Sequence, residues 1–222
     1  MFLHSQSTTI VTQAYDYPEW HKGRENYALW YIEIKHPALV DYLNQLRQKF
    51  SNFLFHPNTR QFHITIYICG FLTDLSPQFD DDFQFKQLQQ HLQDLKKSNL
   101  QPFKLKTGKI NSFSSALFVD IHDDQNSLSN IKKILSYSTQ EIAPTQYCPH
   151  ITLGLYKAEF PSQQILEEIE MTQQQQFEIT IDQLHFGFYK ANDLQGKLFD
   201  LEYYSLNSNS KKVSLEQNPC CN

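Results

Sequence analysis

The chain has 222 residues, 40% of them hydrophobic and 14% aromatic, with a formal net charge of −5. That length suits one domain or two small lobes around a substantial core. The charge argues against a general grip on long RNA or DNA, which needs a basic stripe. The four cysteines, Cys69, Cys148, Cys220 and Cys221, have neither zinc-site spacing nor a disulfide framework, which reads as a reduced, cytoplasmic protein. No signal peptide is evident, and no apolar run approaches bilayer-spanning length.

In chain order, residues 1–23 read as an irregular arm, with Tyr15, Tyr17 and Trp20 as the side chains that dock it on the body. "YALWYIEI" from Tyr27 alternates and is rich in β formers, which predicts a strand. "HPALVDYLNQLRQKF" has Pro37 near its start and Leu39, Leu43, Leu46 and Phe50 at helical spacing, which predicts an amphipathic helix. A strand follows over His63–Cys69, closed by Gly70. A second helix is predicted from about Phe83 to Lys97. "PFKLKTGKINSF" and "SALFVDIH" read as paired strands, followed by a helix over about 127–137. A strand at His150–Tyr156 and a helix over about 162–171 come next. "FEITIDQLHFGFYK" and "LFDLEYYSL" read as a last strand pair. Residues 207–222 are polar and read as a flexible tail. Strand–helix–strand units recur, and the two halves look like weak duplicates.

Each half contains one copy of the same phrase: His63-Ile64-Thr65-Ile66 and His150-Ile151-Thr152-Leu153. In a strand, residues i and i+2 share a face. Each copy therefore presents an imidazole and a hydroxyl together and seals its aliphatic residues into a core. Two such strands side by side suit phosphodiester chemistry. One histidine takes a proton from the attacking water or hydroxyl, and the other gives one to the departing oxygen. The threonine hydroxyls donate to the non-bridging phosphate oxygens.

At these residues the sequence resembles the 2H phosphoesterase superfamily, in particular its 2′-5′ RNA ligase and RNA cyclic phosphodiesterase branch. That family carries two His-x-[Ser/Thr]-x motifs, the second often preceded by proline, as Pro149 is here. The resemblance implies an α+β bilobal fold with pseudo-two-fold symmetry, in which two antiparallel-rich sheets flanked by helices enclose a central cleft. It would occupy residues 24–206 as a single domain. It also implies a phosphoric diester hydrolase working without metal or cofactor on nucleotide or RNA-end 2′,3′-cyclic phosphates. In it, His63 and His150 would be the catalytic acid–base pair, and Thr65 and Thr152 would hold the phosphate. The expected partner is a nucleotide or RNA end rather than a long nucleic acid or a membrane, met by a monomer. Cleavage or sealing of 2′-5′ linkages, and a nucleotide-binding module without turnover, are the alternatives.

The sequence departs from that branch in having no cation directly after the second motif; Lys157 is the first. Phosphate charge would then be met by Lys157, by a cation from elsewhere, or by hydrogen bonds alone. Tyr67 and Tyr156 project to the motif face by strand parity, and Phe113 lies in a turn that reaches the cleft in this family, so all three are candidates to stack on a base. Cys148 could share the motif face as a nucleophile, though a buried thiol at the strand mouth is the simpler reading. A metal site would want a third ligand and supporting carboxylates; no H-E-x-x-H is present and neither motif has a carboxylate at i+2. Cys220-Cys221-Asn222 is not the four-residue prenylation box.

Overall fold

The computed structural model describes residues 2–13, 15, 17–142 and 146–206; the sequence-predicted tail at 207–222 lies outside them. The elements are α1 (Pro18–His21), β1 (Asn26–Glu33), α2 (Pro37–Lys49), β2 (His63–Thr73), β3 (Asp82–Gln84), α3 (Phe85–Ser98), β4 (Phe103–Ser112), β5 (Ala116–His122), α4 (Ser127–Leu135), β6 (His150–Leu155), α5 (Ser162–Glu170), β7 (Glu178–Ile181), β8 (Gln183–Lys190) and β9 (Phe199–Ser205).

The strands form one sheet in the order β7-β4-β5-β6-β2-β1-β8-β9, with β3 pairing alongside β2. The fold is the expected mixed α+β one, and its two anticipated sheets are the two halves of this single sheet. β1-α2-β2 builds one half and β5-α4-β6 the other. They meet where β2 and β6 pair, through Ile64 and Ile151. Antiparallel pairing holds throughout except between β2 and β3.

Local chemistry explains the helices. α2 opens with Pro37 in its first turn, and the His36 side chain accepts the backbone N–H of Leu39 at 3.3 Å, capping a group that would otherwise lack a partner. α3 opens on a capping box between Gln84 and Gln87, which satisfies two such donors at once. Their apolar stripes meet the core face of the sheet, where Ile64, Ile66, Ile151 and Leu153 are all fully buried. Burial of one such side chain contributes roughly 1.5–3 kcal/mol.

Three sequence expectations change. Gly70 does not end the first motif strand; β2 runs on to Thr73. Gly70 has φ +108°, and an added Cβ would lie 2.2 Å from the Asp81 carbonyl oxygen, so glycine alone lets β3 approach there. The run from Phe177 to Lys190 is two strands. β7 pairs with β4 in one half, and after Asp182 β8 pairs with β1 in the other. The short β3 and α1 carried no periodic signal to announce them.

Candidate functional site

Directly opposed residues of antiparallel strands point to the same face, and their chain neighbours point to the other. With Ile64 opposite Ile151 and both turned into the core, His63 stands beside Thr152 and Thr65 beside His150, all four on the opposite face. His63, Thr65 and Thr152 line a groove of about 430 Å³, a volume suited to a small organic ligand. His150 flanks it, with its ring 5.1 Å from those of both Phe113 and Phe118.

Both imidazoles are held alike. Nδ1 of His63 lies 2.8 Å from the Gln61 carbonyl oxygen, and Nδ1 of His150 lies 2.7 Å from that of Cys148. A carbonyl can only accept, so Nδ1 carries the hydrogen and Nε2 of each neutral ring is left as the basic nitrogen. Their electrostatics differ. Burial pushes His63 down to about 4 against the Gln61 bond, and Arg60, His150 and Arg47 add repulsion. Burial also lowers His150, but the Cys148 carbonyl and the carboxylate of Asp120 oppose the shift. Asp120 pairs directly across from His150 on β5.

Each motif strand carries a β-bulge at the fourth motif residue. Tyr31 pairs with Thr65 and Trp30 with Tyr67, which leaves Ile66 as the extra residue. Phe118 pairs with Thr152 and Leu117 with Gly154, which leaves Leu153 extra. A bulge reverses the alternation beyond it, so Ile68 and Leu155 line the groove. Tyr67 and Tyr156, expected on the motif face, are instead buried in the core. The Tyr67 hydroxyl donates to the Thr139 carbonyl at 2.8 Å, and that of Tyr156 shares a 2.6 Å hydrogen bond with Ser112.

The bulges also free two carbonyls, and each is taken by the helix of the opposite half. Arg47 on α2 donates from Nε to Leu153 at 2.9 Å, and Lys132 on α4 donates to Ile66 at 3.2 Å. Lys132 is neutralised by Glu141 at 2.6 Å. Arg47 lines the groove, packed 4.0 Å over the Phe62 ring. Arg60 lines it too, donating to the Gly196 carbonyl at 2.8 Å and lying 4.0 Å over Tyr189. Among the described residues neither guanidinium makes a contact ion pair, although Asp193 acts on Arg60 from farther off, and burial lowers the pKa of both.

These arginines are the cations that sequence reasoning missed. Arg47 sits four residues after Leu43 and eight after Leu39, a charge on an apolar stripe. Arg60 precedes the first motif by three residues. Lys157, the cation expected near the second motif, is exposed and does not line the groove. Phe113 does come edge-on to His150, stacked at 4.1 Å on Phe118. Burial, with Asp120 adding to it, raises the thiol pKa of Cys148, so this thiol is not activated as a nucleophile. Lys35, Lys104, Lys106 and Lys190 are all taken by carboxylates. Glu33, His185 and Asp200 bring ligand atoms within 4.8 Å of one another. Their existing partners account for them: Lys35 pairs with Glu33, and Asp200 accepts from Tyr31 and faces His185.

The family model described as the 2′-5′ RNA ligase superfamily matches residues 36–193. The chain belongs to that superfamily. The matched span contains both motif strands, Arg47 and Arg60, and leaves the first 35 residues outside. Among solved structures, E. coli LigT in complex with 3′-AMP is similar at 12% identity and a TM-score of 0.57, covering 84% of this chain and 100% of its own. TT0787 of Thermus thermophilus is similar at 13% identity and a TM-score of 0.54, covering 83% and 100%. At these identities the likeness concerns the fold. Comparison with curated protein sequences gives no match. Among the described residues, no helix of this superfamily member is long and apolar enough to cross a membrane.

Proposed function

We propose that the protein hydrolyses 2′,3′-cyclic phosphates of nucleotides or RNA ends, by acid–base catalysis between His63 and His150 and without a metal ion. The observation that carries this reading is the Ile64–Ile151 pairing, which sets two imidazoles and two hydroxyls on one face of one sheet. Membership of the 2′-5′ RNA ligase superfamily supports a phosphodiesterase or ligase kind of activity.

His63, kept neutral by burial and two nearby guanidiniums, is the base. Its Nε2 takes a proton from water as the water oxygen bonds to phosphorus. The bond from phosphorus to one ribose oxygen breaks, and His150 gives that oxygen a proton. His150 suits the acid role because Asp120 favours its charged form. Thr65 and Thr152 donate to the non-bridging oxygens, and Arg47 and Arg60 offset the charge that grows there. Aiming these groups in advance avoids reorganisation during the step.

Sealing of a 2′-5′ linkage is the same step with the ribose hydroxyl of a second strand in place of water: His63 takes that hydroxyl's proton and His150 protonates the departing ribose oxygen. Cleavage of the linkage back to the cyclic phosphate is the reverse, and there the two histidines exchange roles. The superfamily's name favours keeping this second reading.

The test is turnover of adenosine 2′,3′-cyclic phosphate, a 2′-5′ dinucleotide and a cyclic dinucleotide in EDTA, comparing wild type with His63→Ala and His150→Ala. Hydrolysis of the cyclic phosphate that survives EDTA and disappears in both variants is expected. Activity abolished by chelator, or retained in either variant, would overturn the mechanism. Binding without turnover, undiminished in His63→Ala, would leave a nucleotide-binding module.

A further inference from the structure

The groove continues well past the histidines. Tyr31, level with Thr65, and Tyr27 lie on the same face of β1, four residues apart, roughly 13 Å at about 3.3 Å per residue. A chain of ring contacts marks the way. Arg60 lies 4.0 Å over Tyr189, the Tyr189 and Tyr27 rings are 5.6 Å apart, and Trp20 is 4.9 Å from Tyr27.

The far wall comes from the N-terminal arm, outside the segment the family model matches. Tyr15, Tyr17 and Trp20 all line the groove that His63 lines, and each leaves at least 36% of its surface exposed. The arm is tied at both ends and to both halves. Leu3, Ile10 and Thr12 donate backbone N–H groups to Ser112, Ser114 and Tyr156. At its other end Arg24 is held by Asp81 and Asp82 beside β3. Between these anchors Tyr15, Tyr17 and Trp20 place their aromatic rings along the groove.

The path from Tyr31 to Tyr27 and on to Trp20 leaves room beyond the histidines for more than one nucleotide. Partly exposed aromatic rings leading from cationic groups form the usual cradle of a single strand, with phosphates at the cations and bases on the rings. We propose that the substrate is an oligonucleotide end, and that Trp20 and Tyr17 stack the base of the nucleotide next to the reacting one. This rests on the phosphodiesterase reading above and adds the substrate's minimum length.

The test compares adenosine 2′,3′-cyclic phosphate with the dinucleotide ApA ending in a 2′,3′-cyclic phosphate, on the full chain. Wild type should prefer the dinucleotide in kcat/KM by about tenfold, the size expected from stacking one base. Trp20→Ala should bring that ratio close to one, and Trp20→Phe should keep most of it. The dinucleotide should also quench tryptophan emission, and Trp20→Phe should remove the quenching, since the other tryptophan, Trp30, is fully buried. A wild-type ratio near one, or a tenfold ratio that survives Trp20→Ala, would overturn the assignment and leave the phosphodiesterase intact. Quenching without histidine-dependent turnover would keep the groove assignment and remove the activity it was attached to. Neither quenching nor turnover would sink both.

Discussion

His63 sits close to two guanidiniums without a contact ion pair among the described residues, and His150 sits opposite a carboxylate, although the strands that carry them are near copies. Both strands hold Nδ1 of the histidine on the carbonyl two residues back. Both bulge at the fourth motif residue, and both give the freed carbonyl to a basic side chain of the other half. The copies diverge in what neutralises that cation. Lys132 has Glu141, while Arg47 has no such partner and looks into the groove. The near-copies supply paired donors and acceptors, and the counter-ion that Lys132 has and Arg47 lacks makes the electrostatics of the two sides unequal.

The largest break in this comparison comes from the histidines. His63→Ala and His150→Ala should each lower kcat/KM by about 10² to 10⁴. The wild-type pH profile should be bell-shaped. Its acid limb near pH 4 comes from protonation of His63, and its alkaline limb, below the ordinary histidine value of about 6.5, comes from loss of the His150 proton. The two rings interact, so each limb belongs to the pair. A profile rising steadily from about pH 5 to 9 would reject the two-histidine mechanism.

Next come the two cations. Arg47→Ala should cost about ten- to a hundredfold in kcat/KM. Lys132→Ala should change turnover per folded molecule little. It leaves Glu141 partly buried and unpaired, so its effect belongs in denaturant unfolding, at about 2–3 kcal/mol. Equal activity losses in the two variants would mean that the halves are not divided as described.

A stability effect with pH is smaller at first and grows with acidity. His91 is fully buried between Trp30 and Thr139, and burial lowers it to about 4, as it does His63. The unfolded chain takes up these protons near 6.5 and the folded one only near 4. Stability is therefore full above about 6.5 and falls as pH drops towards about 4. Urea midpoints at about pH 7 and about pH 5 would check the sign.

The smallest effect belongs to Tyr67→Phe. It removes one hydroxyl donor to a backbone carbonyl, worth about 1 kcal/mol of stability, with KM left where it was. A large rise in KM would return Tyr67 to the groove.

The elements around the motifs were legible because period-2 and period-3.6 patterns are strong there. Leu39, Leu43 and Leu46 mark α2 unaided, and the paired His-x-Thr phrases mark the face that matters. The bulges were not legible. Nothing in the letters Ile66-Tyr67 or Leu153-Gly154 says that one residue is extra, since a bulge is a property of two strands together. Parity counted through it sent Tyr67 and Tyr156 to the wrong side and hid Ile68 and Leu155. Arg47 left a trace as a charge on an apolar stripe. Arg60 left none, because its partners Gly196 and Tyr189 arrive from far along the chain.

One residue, Asp182, is all that separates β7 from β8, yet these strands belong to opposite flanks of the sheet. A sheet whose flanks are stitched by so short a link has to curl until they meet. The two halves are therefore joined twice, through Asp182 at the flanks and along the β2–β6 seam, and a hinge at either joint alone would be held by the other.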